Sequence, residues 1–177
     1  MPTATLHHHT LPSPVGELRL IATTTHLTRI DFVHGQKITA LPPEALSVEN
    51  PDDHPVFAAV KEQLAEYFTS DRQAFDLPLE PKGTDFQLRV WQQLRLIPYG
   101  ETISYGQLAD RLGQPTASRA VGLANGNNPL SIVVPCHRVI GADGSLTGFG
   151  GGVDTKRQLL ELESPTLFRP AKEASTI

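Results

Sequence analysis

The chain has 177 residues, a formal net charge of −4 and one cysteine. That length allows one sizeable core or two small ones. The lone thiol excludes an internal disulfide and a thiolate-rich zinc centre, and the mildly acidic balance argues against a general polybasic nucleic-acid binder.

His7, His8 and His9 read as the solvated end of a strand, ahead of a metal site or a tag remnant. Residues 16–22 alternate polar and apolar, which predicts a half-buried strand, and residues 27–33 repeat the pattern. The threonine-rich stretch between them predicts a hairpin. Residues 36–55 carry prolines and acids and read as a loop. Val56, Val60, Leu64 and Phe68 then recur at helical spacing, with Ala59 and Tyr67 widening the apolar face. Leu77 and Leu79 flank Pro78, which predicts a strand confined to an edge.

Pro81, Lys82 and Gly83 read as a join. Beyond it the pattern is helical. Thr84 is a predicted N-cap for a helix carrying Phe86, Val90, Trp91 and Leu94, stopped near Pro98 and Gly100. Ser104 caps a short helix with Tyr105, Leu108 and Leu112 that ends at Gly113. Thr116 is expected to cap another over residues 117–124. Two short helices around a glycine turn make a helix-turn-helix pattern. A last helix begins at Asp154 with Leu159, Leu160 and Leu162, and residues 164–177 form a polar tail expected to fray. The fold class expected is α+β: a small antiparallel sheet with a helix over residues 1–80, then a helical domain with an active-site loop over residues 84–163.

The densest chemical signal is the run from Ile132 to Ile140. An apolar, strand-like stretch delivers Pro135, Cys136, His137 and Arg138, and a second apolar stretch leaves. Proline restricts the backbone before the cysteine and so limits where the sulfur points. A thiol with a pKa of about 8.5 is a poor nucleophile at neutral pH unless a neighbour takes its proton. His137 is near enough in a tight turn to do so, directly or through a water. The other reading of Cys136 is a small buried apolar residue. Glu161 and Glu163 sit at a helix C-terminus, where the macrodipole disfavours negative charge; either orients the histidine, or both are solvated. Asp110, Arg111, Arg119 and Arg138 make residues 105–140 locally basic within an acidic chain. No apolar run reaches the roughly 20 residues of a membrane helix, and no secretory signal pattern opens the sequence, so a cytoplasmic location is expected.

Val134-Pro135-Cys136-His137-Arg138-Val139-Ile140 resembles the signature of the O6-alkylguanine-DNA alkyltransferases. Phe86 to Trp91, Ile97 to Thr102, Ser104 to Ala109, Arg119 to Gly122, Ala124 to Pro129, Gly148 to Gly152, Lys156 and Leu159 to Glu163 follow in the family's order. The resemblance implies that Cys136 accepts an alkyl group from O6-alkylguanine, or O4-alkylthymine, in double-stranded DNA. It further implies that His137 draws off the thiol proton through a water, that Glu163 orients His137, and that Asn128 holds the backbone near Val134 to Cys136. Tyr105 would stand near N3 of an extruded guanine and Arg119 would fill the gap in the duplex. Thr116, Ala117, Ser118, Ala120, Gly122 and Asn125 would meet the minor groove, and Val139, Phe149 and Gly150 would line the base pocket with Tyr105. Many members carry tyrosine at Phe149 and some carry serine at Gly150, so a ring and a backbone N–H remain here without those hydroxyls. No cofactor, metal or membrane is implied, and the expected form is a monomer, with cooperation along DNA left open. Two other readings are a damage sensor without transfer, which the presence of Cys136 opposes, and a turnover cysteine hydrolase, for which no oxyanion hole is evident.

Overall fold

The computed structural model describes residues 3–35 and 37–165, so the expected fraying of the tail falls largely outside the described residues. Four strands form the first sheet: β1 (His7–Leu11), β2 (Leu18–Ala22), β3 (Leu27–Phe32) and β4 (Leu46–Ser47), in the order β3-β2-β1-β4. The hairpin of β2 and β3 is antiparallel, with Leu20 opposite Ile30. The sheet departs from antiparallel at both edges: β4 runs parallel to β1 for two residues, and Leu79 and Leu130 form parallel bridges to β3. The histidine run lies in β1, partly buried. Alternation places Leu18 and Leu20 of β2 in the core, where they meet α1 (Pro55–Phe68). Val56, Val60, Leu64 and Tyr67 of α1 are buried as the 3.6-residue period requires.

The free edge of β3 is covered, which blunts a strand edge that would otherwise template pairing. Leu27 N–H donates to Pro78 O at 2.8 Å and Glu80 N–H to Leu27 O at 2.9 Å, so the expected edge segment is a single bridge at Leu79. Further along, Ile30 N–H donates to Pro129 O at 2.8 Å. The sheet thus grips the second half of the chain just before the Cys136 turn.

That second half holds α2 (Asp85–Leu94), α3 (Tyr105–Arg111), α4 (Ser118–Gly126) and α5 (Val153–Glu163), with β5 (Ile103–Ser104) parallel to β6 (Val139–Ile140). Thr84 and Ser104 each close a capping box, with Gln87 and Gln107 respectively. Gly113, at φ +70°, ends α3 in the left-handed conformation that glycine adopts without a Cβ clash. Thr116 does not cap α4. Ala117 N–H donates to Gln114 O at 2.9 Å, and this tight turn moves the boundary one residue on, leaving Ala117 at the cap without a side-chain bond. Trp91 pins α4 from beneath: its indole N–H donates to Ala124 O at 2.8 Å. One buried apolar cluster runs from β2 and β3 through α1 to α2, α4 and Leu159 of α5.

Candidate active site

The segment leading to Cys136 is a turn where an apolar strand was expected. Val134 N–H reaches back to Leu130 O at 2.8 Å, and Ile132 sits at φ +74°. A β-branched residue there is strained by roughly 1–3 kcal/mol and persists only when its surroundings enforce it. Asn128 supplies much of that enforcement: its Nδ2 donates to Val134 O at 2.8 Å while its Oδ1 accepts from Leu130 N–H at 3.0 Å. Pro135 then adopts φ −82°, ψ 65°, and Cys136 N–H donates to Val134 O at 2.8 Å. This is an inverse γ-turn, whose central residue proline's ring favours. A 3₁₀ turn over Cys136–Arg138 follows directly and leads into β6.

Behind the thiol lies a fully ligated carboxylate. Lys156, Leu159, Leu160 and Glu163 share the buried face of α5, so a lysine and a glutamate end an otherwise apolar stripe. Glu163 Oε1 meets His137 Nε2 at 2.7 Å and accepts from Tyr67 Oη and Arg138 Nη2 at 2.8 Å each. Its Oε2 accepts from Arg138 Nε at 2.8 Å. Burial alone would raise the Glu163 pKa, but the bonds from His137 and Arg138 outweigh it and hold the group at about 2. An ionised carboxylate only accepts, so His137 carries its proton on Nε2. That leaves Nδ1 as a lone pair, buried and without a partner. Burial also pushes the imidazole pKa below its ordinary value, against the pull of Glu163, and pushes the Cys136 thiol up. The resting pair is therefore a neutral thiol beside a neutral base. Glu161 stays half-buried at the rim of α5.

Two further cations matter. Lys156 Nζ donates to Val139 O at 2.6 Å and to Thr147 O at 2.9 Å, tying β6 to the glycine-rich loop; burial pushes its pKa down to about 8, and a charge on Cys136 opposes that fall. Arg138 is buried between Glu163 and Ile97 O, 2.7 Å from its Nη1, so it adds nothing to a basic outer face. The sequence reading counted it there, placed Tyr67 only on the apolar face of α1, and named Lys156 in the family pattern without a role in the site. A cation's own segment does not show its burial when its partner, Glu163, lies 25 residues away.

Cys136, 5% exposed, lines a narrow cavity of about 70 Å³ with Asn125, Asn128, Ser131 and Phe149. This cavity shares Lys37, Gly126, Gly148, Phe149 and Gly150 with an open cleft of about 560 Å³, whose other walls include Tyr105, Arg119 and Gly122. Tyr105 Oη lies 3.2 Å from Thr147 Oγ1. Phe149 packs edge-on against Phe32 of β3, ring centroids 5.4 Å apart. Val139 is fully buried and lines neither cavity; it contributes its carbonyl to Lys156.

On α4, Ser118, Arg119, Ala120, Leu123 and Gly126 face outward, and Val121, Ala124 and Asn125 face in. Thr116 is exposed and Ala117 partly so, while Gly122 lies over Tyr105. Asn125, expected on the outer face, is only 2% exposed and instead donates from Nδ2 to Cys136 O at 3.3 Å. Its helical phase, four residues after the buried Val121, carried that signal. Leu123, 68% exposed one turn beyond Arg119, and Lys37 at the cleft rim were missed. Thr39 N–H donates to Asp31 Oδ2 at 3.2 Å and Arg19 bridges Asp31 to Thr39 O, so the segment bearing Lys37 is held on the sheet.

Family models match both halves of the chain. The 6-O-methylguanine DNA methyltransferase ribonuclease-like domain covers residues 6–81, and the DNA binding domain of the same family covers residues 85–165. The methylated-DNA–protein-cysteine methyltransferase of Mycobacterium tuberculosis is 49% identical over 158 residues, covering 89% of this chain and 92% of that protein. Its counterpart in Methanosarcina acetivorans is 45% identical, covering 89% and 98%. The crystal structure of Mycobacterium tuberculosis OGT in complex with DNA superposes with a TM-score of 0.81 at 46% identity, covering 94% of this chain and 97% of that one. With family models and relatives matching along almost its whole length, the chain belongs to the 6-O-methylguanine DNA methyltransferase family.

Proposed function

We propose that this protein repairs double-stranded DNA by taking an alkyl group from O6 of guanine, or O4 of thymine, onto Cys136 Sγ, once per molecule. The observation that carries the reading is the position of the thiol. It lines a narrow cavity that adjoins a cleft walled by the helix displaying Arg119, and the next residue is a histidine whose Nδ1 is buried without a partner.

An O6-alkyl carbon is out of reach inside a stacked duplex, so the base must leave the helix at a cost of a few kcal/mol. Arg119 enters the gap and offsets part of that cost by stacking and charge. Ser118, Ala120 and Gly126 present a low profile around it, which lets the α4 backbone approach the minor groove; Leu123 adds an apolar contact. Thr116, Ala117 and Gly122 flank this surface. The cleft takes the extruded base between Tyr105 and the Phe149–Gly150 segment, with a Gly150 N–H for O6.

The Cys136 proton passes to His137 Nδ1, directly or through one water, and Glu163 stabilises the cation that forms. The thiolate attacks the alkyl carbon in line with the C–O6 bond. A C–S bond forms, the C–O6 bond breaks, and its electron pair remains on the purine. The charge is quenched by one proton from Tyr105 Oη; solvent then returns a proton to Tyr105 while His137 releases the one it took from sulfur, so the net change moves the thiol proton to guanine. Lys156 and the Asn128 amide favour the thiolate that burial disfavours. The reaction balances without a third reactant, and the thioether has no route back. The protein acts as a monomer in this scheme.

Intact mass after incubation with an O6-methylguanine duplex tests the reading. One added methyl per chain, mapped to Cys136, is expected. Binding without mass gain would make the protein a sensor, and repeated product release at constant mass would make it a hydrolase.

A further inference from the structure

One buried titratable group beside the site has no task in the scheme above. Tyr67 is fully buried on α1, and its Oη donates to Glu163 Oε1 at 2.8 Å across 96 residues of chain. Its ring packs against Phe68, Phe75 and Tyr99, with centroids 5.2, 5.4 and 6.2 Å away. A phenylalanine would pack there as well, so only the carboxylate calls for the hydroxyl. Burial, and then the charge on Glu163, hold the phenol far above its ordinary pKa, so it stays protonated and can only donate to the carboxylate. Among the described residues it is the one side chain from the first half of the chain that is hydrogen-bonded to His137, Arg138 or Glu163.

The oxygen it occupies is the one that meets His137 Nε2 at 2.7 Å. The more negative charge that oxygen carries, the more strongly it favours a protonated imidazole. Arg138 draws on the charge too, and it also repels a proton on His137 directly. Tyr67 is neutral and acts on the imidazole through the oxygen they share. We propose that Tyr67 is a positioning residue of the transfer reaction: its hydroxyl takes up part of the charge on Glu163 Oε1, so that His137 rests as a neutral base and still holds the thiol proton during attack. The other groups facing this pair are Cys136 and Arg138 on the same turn as His137, Lys156 on α5, the Gly100 N–H, 3.4 Å from Glu163 Oε2, and Tyr99, whose ring centroid lies 5.7 Å from Arg138 Cζ. Lys156 and Arg138 act on His137 in the same direction as Tyr67, by charge, and Glu163 opposes all three. The proton machinery is thus completed by a donor from the first half of the chain.

The inference rests on the transfer reaction proposed above. Single-turnover methyl gain from free O6-methylguanine base is followed by intact mass from about pH 5 to 8, so that DNA binding stays out of the profile, and the acid limb reports protonation of His137. In Tyr67→Phe the limb is expected to move up by about half a unit to one unit, because the carboxylate pulls harder on the proton. With 3-fluorotyrosine in place of Tyr67, a more acidic phenol donates more strongly and the limb moves down. A packing role would leave the limb in place or move both proteins the same way. Should Tyr67→Phe fail to fold, the fluorinated protein decides alone, by the downward shift. A limb at the wild-type position in either folded protein, or a shift of the opposite sign, would overturn the assignment while transfer by the wild type stands. No methyl gain by the wild type at any pH would overturn it together with the transfer reaction.

Discussion

The acceptor turn and the outer face of α4 are a few residues apart in sequence and opposite in construction. Around Cys136, His137, Arg138, Lys156 and Glu163 are buried and bonded, and Asn128 and Pro135 over-determine the backbone. On α4, Arg119, Ala120 and Leu123 stand in solvent. The difference follows from the two tasks. In-line displacement needs the sulfur within a fraction of an ångström and a dry surround in which a charge is stabilised by fixed groups. A search along DNA needs a surface that meets any sequence and releases it, for which few fixed contacts and low relief suffice. Substitutions inside should therefore damage transfer from any substrate, and substitutions outside only transfer from duplex.

The largest effect belongs to Cys136→Ala. Transfer from both duplex and free O6-alkylguanine base is expected to vanish, with duplex affinity unchanged, as read by intact mass and by fluorescence anisotropy. Any methyl gain in that variant would mean that another group accepts, and the interior would lose its special status.

Glu163→Gln comes next. The variant keeps shape but leaves Arg138 buried without its ionic partner, and breaking such a pair costs about 3–5 kcal/mol. Without the carboxylate, His137 loses the group that fixes its tautomer, so transfer should slow about 100-fold or more on both substrates. The stability part has a pH signature. Glu163 is held at about 2 against an ordinary 4.5, so the unfolded chain takes up this proton first; the contribution is complete above 4.5 and is lost as pH falls towards 2. His137 acts in the same sense from 6.5 downward, because the buried ring resists a proton that the unfolded ring accepts. Urea midpoints should fall with acidification in the wild type, and the part between pH 4.5 and 2 should flatten in Glu163→Gln. Identical slopes would show that another carboxylate governs the acid limb.

How far these regions were legible differs for a physical reason. Local rules carried the scaffold: Thr84 and Ser104 cap their helices as predicted, and each also closes a box with the glutamine three residues on. The period of α1 marked its core face. The Cys136–His137 adjacency was visible, but the geometry that gives it meaning is long-range. Three β-branched residues from Ile132 to Val134 carry the pattern of a strand; Asn128 and the Leu130 carbonyl bend them into a turn, with Ile132 left-handed. Arg138 looked like a surface charge because Glu163 lies far along the chain. Asn125 and Asn128 are alike as letters, and only the helical phase of α4 separates the one that holds Cys136 from the one that holds Val134.

Arg119→Ala tests the outer face. Duplex transfer should fall about 10- to 100-fold, since the variant must bear the few kcal/mol of unstacking with nothing in the gap. Transfer from the free base should be unchanged, because no stack has to be opened. Equal losses on the two substrates would move Arg119 from the surface group into the interior one.

The smallest effect is at Lys37, and it asks whether the outer face ends with the helical half. Lys37 comes from the segment after β3 yet lines the cleft, with Nζ 3.5 Å from Asn127 Oδ1 at the end of α4. An exposed ammonium at that rim is placed to meet a phosphate on the strand that carries the extruded base. Neutralising one phosphate contributes about one to the slope of log affinity against log salt. Lys37→Ala should therefore lower that slope by about 1 and weaken duplex binding alike for lesion and undamaged DNA, leaving free-base transfer as in the wild type. A loss confined to lesion DNA would place Lys37 in the base pocket, whereas an unchanged slope would restrict DNA contact to the α4 side of the cleft.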